Sequence, residues 1–207
     1  MKLKTVKIPY MDQNVYLISG STGAVIIDPG QMTDEIKEFI AENKSKELAI
    51  LLTHNHFDHI LGADEARALS NGKIYISVPD AIGLSDGSVN LCERFCLDFL
   101  PFEADETLSD NQLLTVGDIK IKVLITPGHS KGSTCFIIGD WMFSGDTLFR
   151  LGVGRTDFIG GDNEELMLSL KRLYDIKGDF DVYSGHGPAS RLSYEKENNP
   201  FMREILK

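Results

Sequence analysis

Short aliphatic and β-branched runs alternate along this chain with stretches of helical period, and the switches mark its elements. "VYLISG" (15–20) and "AVIIDPG" (24–30) flank "GSTG", which predicts a hairpin whose second strand is stopped by Asp28, Pro29 and Gly30. Over 32–44 the apolar residues Ile36, Phe39 and Ile40 recur at helical spacing behind Thr33, a residue suited to cap a helix. "LAILLT" (48–53) is apolar almost throughout, as a buried strand is. Residues 60–73 then predict a helix ending near Asn71-Gly72, and "KIYISVP" (73–79) a return to strand. The 80–112 segment keeps neither period. It predicts a loop with a short helix, of the kind that often shapes a substrate entrance.

The second half restarts the strand pattern. Three strands are predicted at 119–126, 133–140 and 141–146, the last two joined tightly at Gly139-Asp140. A helix follows over 161–176, with Asp162 as cap, Glu165 at the capping-box position, and Leu166, Leu170 and Leu173 as its apolar stripe. "FDVYSGHG" (180–187) is a strand running into a loop, and 193–206 has helical character around Pro200. No linker, low-complexity run or short repeat interrupts the 207 residues, so α and β layers around one core are expected, with 1–207 as a single domain.

Composition narrows the function classes. Hydrophobic residues make up 42% and charged residues 25%, as in ordinary globular proteins, and no apolar run is long enough to span a bilayer. The N-terminus lacks the apolar core of a signal peptide, so a cytoplasmic protein with no membrane partner is expected, a monomer or small homo-oligomer. A net charge of −10 argues against nucleic acid as a partner. The three cysteines, Cys92, Cys96 and Cys135, are expected to be reduced thiols, with Cys92 and Cys96 in plain packing.

Histidine changes the picture. The chain has five, and three fall in "THNHFDH" (53–59), a cluster expected by chance in about one such chain in ten thousand. The others are His129 in "TPGHSKGS" and His186 in "YSGHGP". All five follow predicted strands, and "FSGDTLF" repeats the arrangement with Asp146. Taken singly, each histidine is more often packed or exposed than a ligand, and Asp58 also suits a helix cap. Strand ends meeting at one edge would instead gather five imidazoles, Asp58 and Asp146. Imidazole nitrogen and carboxylate oxygen suit zinc, and seven side chains suit two metals with a shared carboxylate and a shared hydroxide.

These motifs, in this order over 14–188, resemble the metallo-β-lactamase fold superfamily. The resemblance implies an α+β fold, a four-layer αβ/βα sandwich of two mixed sheets flanked by helices, with the metals at one edge of the sheets. It implies His54, His56 and His129 as ligands of one metal, and Asp58, His59 and His186 as ligands of the second. Asp146 is then the bridging carboxylate, and Asp28 of "IIDPG" supports the ligands without being one. Two divalent ions are implied, zinc first, with iron or manganese as alternatives.

"GDTLFRLGVGRTDFIGGD" and "SGHGPASRLSYEKENNPFMRE" resemble the glyoxalase II-like group, the bacterial hydroxyacylglutathione hydrolases and their relatives. The longer members carry a separate C-terminal helical domain that contacts glutathione, and none is expected here. The implied reaction is hydrolysis of a small-molecule thioester by a metal-bridging hydroxide, with Asp58 and Asp146 as the catalytic carboxylates. Arg155 matches the group's glutathione-contacting lysine, but Asp157 two positions on leaves two readings open: a grip on the thiol's carboxylate, or an Arg–Asp pair that pins the loop. The alternatives are an iron-dependent persulfide dioxygenase-like oxidoreductase, since those enzymes share "GRTDF", a lactone or ester hydrolase, or a metal-binding protein without catalysis.

Overall fold

In the computed structural model, which describes residues 1–205, the hairpin, the helices and the buried strands assemble into two six-stranded sheets lying face to face. The first sheet runs in the order β1 (Lys2–Ile8), β2 (Gln13–Ser19), β3 (Gly23–Ile27), β4 (Glu47–Leu51), β5 (Lys73–Ser77) and β6 (Glu106–Leu108). Its first three strands are antiparallel, and β3 to β6 are parallel. The second sheet has the order β14 (Ser190–Arg191), β13 (Asp181–Ser184), β10 (Trp141–Gly145), β9 (Thr134–Ile138), β8 (Ile119–Ile125) and β7 (Leu113–Val116). It too is mixed, because β10 and β13 run parallel while its other pairs are antiparallel. A two-strand ribbon, β11 (Leu148–Phe149) with β12 (Gly152–Val153), completes the β structure.

Three apolar cores hold four layers together. Between the sheets, Tyr16, Ile18, Val25, Ile27 and Leu51 meet Ile121, Val123, Phe136 and Phe143. Outside the first sheet, α1 (Asp34–Glu42) and α3 (Ala63–Ser70) bury Ile36, Phe39, Ile40, Ala63 and Ala66 against Ile26, Ile50 and Ile74. Outside the second, α4 (Asn163–Asp175) buries the predicted stripe of Leu166, Leu170 and Leu173, joined by Leu192 of α5 (Leu192–Asn198) and Met202 of α6 (Pro200–Glu204). Each fully buried aliphatic side chain contributes about 2 kcal/mol. This is the α+β sandwich expected from the motifs.

The details depart from the sequence reading where side chains carry little pattern. β1 was not foreseen: it is an edge strand rich in lysine, with only Val6 and Ile8 buried, and charge on an edge also discourages strand addition. The predicted 60–73 helix is two helices, α2 (Phe57–Ile60) and α3, parted at Gly62. Gly62 donates to the Pro29 carbonyl at 2.8 Å, and a Cβ there would sit 2.6 Å from that oxygen, so the "DPG" turn approaches where no side chain stands. In 80–112, a 3-10 turn over Val78–Leu84 stands for the short helix, and β6 was not foreseen. The terminal helix breaks at Asn199, which caps α6 by accepting from Phe201 N–H; Leu206, at the end of that prediction, lies outside the described residues.

Candidate metal centre

Strand direction places the predicted residues at one edge. β3 and β4 are parallel, so Asp28 and Thr53 leave the first sheet together. β8 and β10 run the same way in the second sheet, each antiparallel to β9, and β13 is parallel to β10. The loops bearing His129, Asp146 and His186 therefore leave at the same end. Two backbone approaches close the edge. Gly145, at φ 48°, would carry a Cβ 2.5 Å from Thr53 Oγ1, and a Cβ on Gly185 would run into Asp146 Oδ1. Only glycine fits at either place.

Hydrogen bonds fix the rings. Asp28 accepts from Thr53 N–H at 2.7 Å and from Thr53 Oγ1 at 2.6 Å, and its Oδ2 lies 2.9 Å from His59 Nδ1. The Thr53 hydroxyl proton is spent on Asp28, so Thr53 Oγ1 accepts from His54 Nδ1, 3.1 Å away. His129 Nδ1 donates to the Arg155 carbonyl at 2.7 Å, and His186 Nδ1 to the Met11 carbonyl at 2.9 Å. Four of the five rings thus have Nδ1 engaged by oxygen, which leaves Nε2 for the centre. His59 Nε2 and His186 Nε2 are 3.2 Å apart.

Whether these residues fit a metal is answered by what they leave unpartnered. His54 Nε2, His56 Nε2, His129 Nε2 and Asp146 Oδ1 are buried without a hydrogen-bond partner. Each such atom costs about 1–3 kcal/mol unless something satisfies it. Three groups each bring ligand atoms within 4.8 Å of one another: His54, His56 and His129; His54, His59 and Asp146; Asp58, His59 and His186. Asp146 links them, its Oδ2 lying 3.5 Å from His129 Nε2 and 3.4 Å from His186 Nε2. All seven expected residues are together, and their chemistry fits divalent cations.

Electrostatics divides the cluster in two. Burial, reinforced by the neighbouring imidazoles, holds His54 well below the ordinary histidine range, and burial with His129 beside it takes His56 down to about 3. Both offer neutral lone pairs. Burial also opposes charge on His59, but Asp58, Asp28 and Asp146 outweigh it and raise its pKa. His186 likewise rises to about 11, as Asp146 and Asp58 overcome its burial. Burial resists ionisation of the two carboxylates too, yet His59 and His186 leave both Asp58 and Asp146 below the usual range. The acidic pair draws positive charge, which a bound divalent cation would supply in place of the imidazolium protons.

Some of the machinery had no sequence signal. Asp80, buried at the start of the 80–112 segment, accepts from Ser130 Oγ and Gly132 N–H at 2.6 Å each and from Asn55 N–H at 3.1 Å. It ties the loop of His54 and His56 to the loop of His129. The Met11 and Arg155 carbonyls are invisible in side-chain patterns, although Met11, at φ 63°, and Asp28, at φ 52°, occupy the left-handed region that such sites tolerate. His56 is the N-cap of α2 by backbone geometry, and Asp58 stands in its first turn rather than capping it.

Above the cluster opens a cavity of about 400 Å³. Phe57, Leu91, Phe95, Phe149 and Phe158 wall it, so two residues of the 80–112 segment, Leu91 and Phe95, line the cavity. Arg155 is also on the wall, paired with Asp157 through two hydrogen bonds of 2.5 and 2.6 Å and lying 4.0 Å from the Phe158 ring centroid. The pinning pair is therefore present. Cys92 and Cys135 are buried free thiols and Cys96 an exposed one, and no cysteine joins the metal-type groups among the described residues. None of the helices described is long and apolar enough to cross a membrane.

The family profile described as "Metallo-beta-lactamase superfamily" matches residues 9–186. The chain is 34% identical over 206 residues to a probable metallo-hydrolase, YqgX, of Bacillus subtilis (strain 168), covering 98% of each chain. It is 31% identical over 211 residues to the hydroxyacylglutathione hydrolase GloC of Haemophilus influenzae (strain Rd), again covering 98% of each. Among solved structures it is similar to TTHA1623 in a di-iron-bound form, with a TM-score of 0.83 and 33% identity over 96% of this chain and 99% of that one.

Proposed function

The chain belongs to the metallo-beta-lactamase superfamily, and from that premise we propose that this metallo-hydrolase cleaves small thioesters at a centre of two divalent ions. The single observation that carries the reading is the set of buried, unpartnered atoms on His54, His56, His129 and Asp146 beneath an apolar cavity. His54, His56 and His129 would hold one ion, and Asp58, His59 and His186 the other. Asp146 would serve both, which its position between His129 and His186 supports. The donor set is nitrogen and oxygen without sulfur, which suits zinc and also iron or manganese.

Bound divalent ions supply an activated water near neutral pH and a Lewis acid for the thioester carbonyl. The protein does the rest. Asp28 and the Arg155 and Met11 carbonyls hold three imidazoles in the tautomer that leaves Nε2 free. Asp58, half-buried on the cavity wall, is the carboxylate placed to accept a proton from the attacking water. Phenylalanine walls exclude other water and hold the apolar part of the substrate. Among the described residues no cysteine lines the cavity, so a covalent acyl-enzyme has no thiol there to form on.

The test is one preparation assayed two ways after elemental analysis. Zinc-loaded protein should hold close to two ions per chain and hydrolyse S-lactoylglutathione or a simpler thioester without oxygen. Activity confined to iron-loaded protein, consuming oxygen with a persulfide and absent with every thioester, would replace the hydrolase with an oxidoreductase on the same centre.

A further inference from the structure

The cavity wall above the metal centre carries four phenyl rings, with Phe57 and Phe95 centred 5.0 Å apart and Phe95 and Phe158 meeting edge to face at 6.5 Å. Phe158 is the pivot. Its ring meets His56 edge-on at 5.8 Å, and two guanidiniums lie against it, Arg155 at 4.0 Å and Arg94 at 5.3 Å. Both oxygens of Asp157 are committed to Arg155, whose own carbonyl is committed to His129. Arg94 makes no ion pair among the described residues. It sits between two cavity-wall residues, Leu91 and Phe95, on an exposed turn. Arg94, Arg155 and Asp157, taken alone, carry one net positive charge beside Phe158, in a protein whose net charge is −10.

We propose that Arg94 is an anion-binding residue at the rim, and that the preferred thioester joins its acyl group to an apolar, aromatic-sized thiol ending in a single carboxylate. This rests on the thioester-hydrolase reading of the same site. The Arg94 guanidinium and the His56 ring both lie against Phe158, 5.3 and 5.8 Å from its centroid, so an aromatic body laid along that ring would reach from the metal centre toward Arg94. A planar carboxylate matches the guanidinium fork, whereas the single net charge at the rim offers less to a doubly charged phosphate. Arg94 grips the leaving thiol and takes no part in bond breaking, so it acts on substrate binding more than on turnover.

The experiment compares para-acetylthiobenzoate with its uncharged partner para-acetylthiobenzamide on the zinc-loaded full chain, in wild type and Arg94→Gln. Calorimetric titration with the product thiols, para-mercaptobenzoate and para-mercaptobenzamide, reads binding apart from turnover. Wild type should favour the carboxylate of each pair by about fivefold in KM and in Kd, the scale of one partly exposed ion pair. Arg94→Gln should bring both ratios close to one, with kcat for the benzoate changed less than twofold. Hydrolysis of both esters with equal KM, or a preference surviving in Arg94→Gln, overturns the Arg94 assignment and leaves the hydrolase intact. If neither ester is hydrolysed but the calorimetric preference exists and depends on Arg94, the hydrolase reading falls and the anion site stands.

Discussion

At the scale of single residues, Asp146 and Asp80 separate what touches the centre from what arranges it. Asp146 approaches both halves of the cluster. Asp146→Ala should lower the metal content from about two ions to about one per chain and cut turnover at least about 100-fold, read by elemental analysis and steady-state rates; unchanged turnover would show that it bridges nothing. Asp80 contacts no metal-type group, but it accepts three hydrogen bonds from two loops. Removing its side chain strands Ser130 Oγ and the Asn55 and Gly132 N–H groups. Asp80→Ala should therefore weaken metal binding about 10- to 100-fold in chelator competition, by loosening the angle between the loops of His56 and His129. Asp80→Asn keeps the shape but turns an NH2 toward donors, so it should fall between the two. Equal chelator resistance in all three proteins would reduce Asp80 to ordinary packing. The contrast also explains what was legible. Histidine is rare here, so clustering stood out; Asp80 is one of 31 acidic residues, and nothing local distinguished it.

Among the elements, those with a strong period could be read and those held by tertiary contacts could not. α4 announced itself through Asp162, which caps Glu164 and Glu165 N–H, and through its leucine stripe. β6 has three residues and pairs on one side with β5, while β1 shows mostly lysine and threonine, so neither carries a pattern of its own. The join between the sheets is similar: Asp118, in the turn from β7 to β8, accepts from Ser21, Thr22 and Gly23 N–H at 2.8, 2.9 and 3.0 Å and so closes the turn from β2 to β3. No sequence window contains both turns. Those three backbone donors hold the Asp118 carboxyl well below the usual carboxylate range. A group depressed on folding stabilises the fold above its unfolded pKa of about 3.9, and that contribution fades as pH falls toward the folded value. Asp118→Asn should thus lower Tm at pH 7 by roughly 2–4 °C. The gap to wild type should shrink steadily below about pH 4 in thermal melts; a gap independent of pH would mean that the charge on Asp118 is irrelevant to the clamp.

For the whole molecule, the three cores and the metal centre are separable in kind. The cores bury aliphatic and aromatic side chains between and outside the sheets. The centre gathers its polar side chains at one edge and concentrates the chain's buried imidazoles there. A fold held this way should form without metal, unlike a small domain whose core is the metal site. It is nevertheless stabilised by any ion that binds only the folded state, by about 4 kcal/mol when the free ion stands 1,000-fold above its Kd. Chelation and dialysis should leave the far-UV circular dichroism spectrum of the protein essentially unchanged while lowering Tm by roughly 8–16 °C. Titrating zinc back should restore Tm as a function of free zinc. The same titration on Asp146→Ala should recover only part of the shift, because the residue between the two halves is gone. Loss of the spectrum on chelation would instead make the metals part of the scaffold, and the edge on which the loops of His54, His129 and His186 meet would then depend on the ions it gathers.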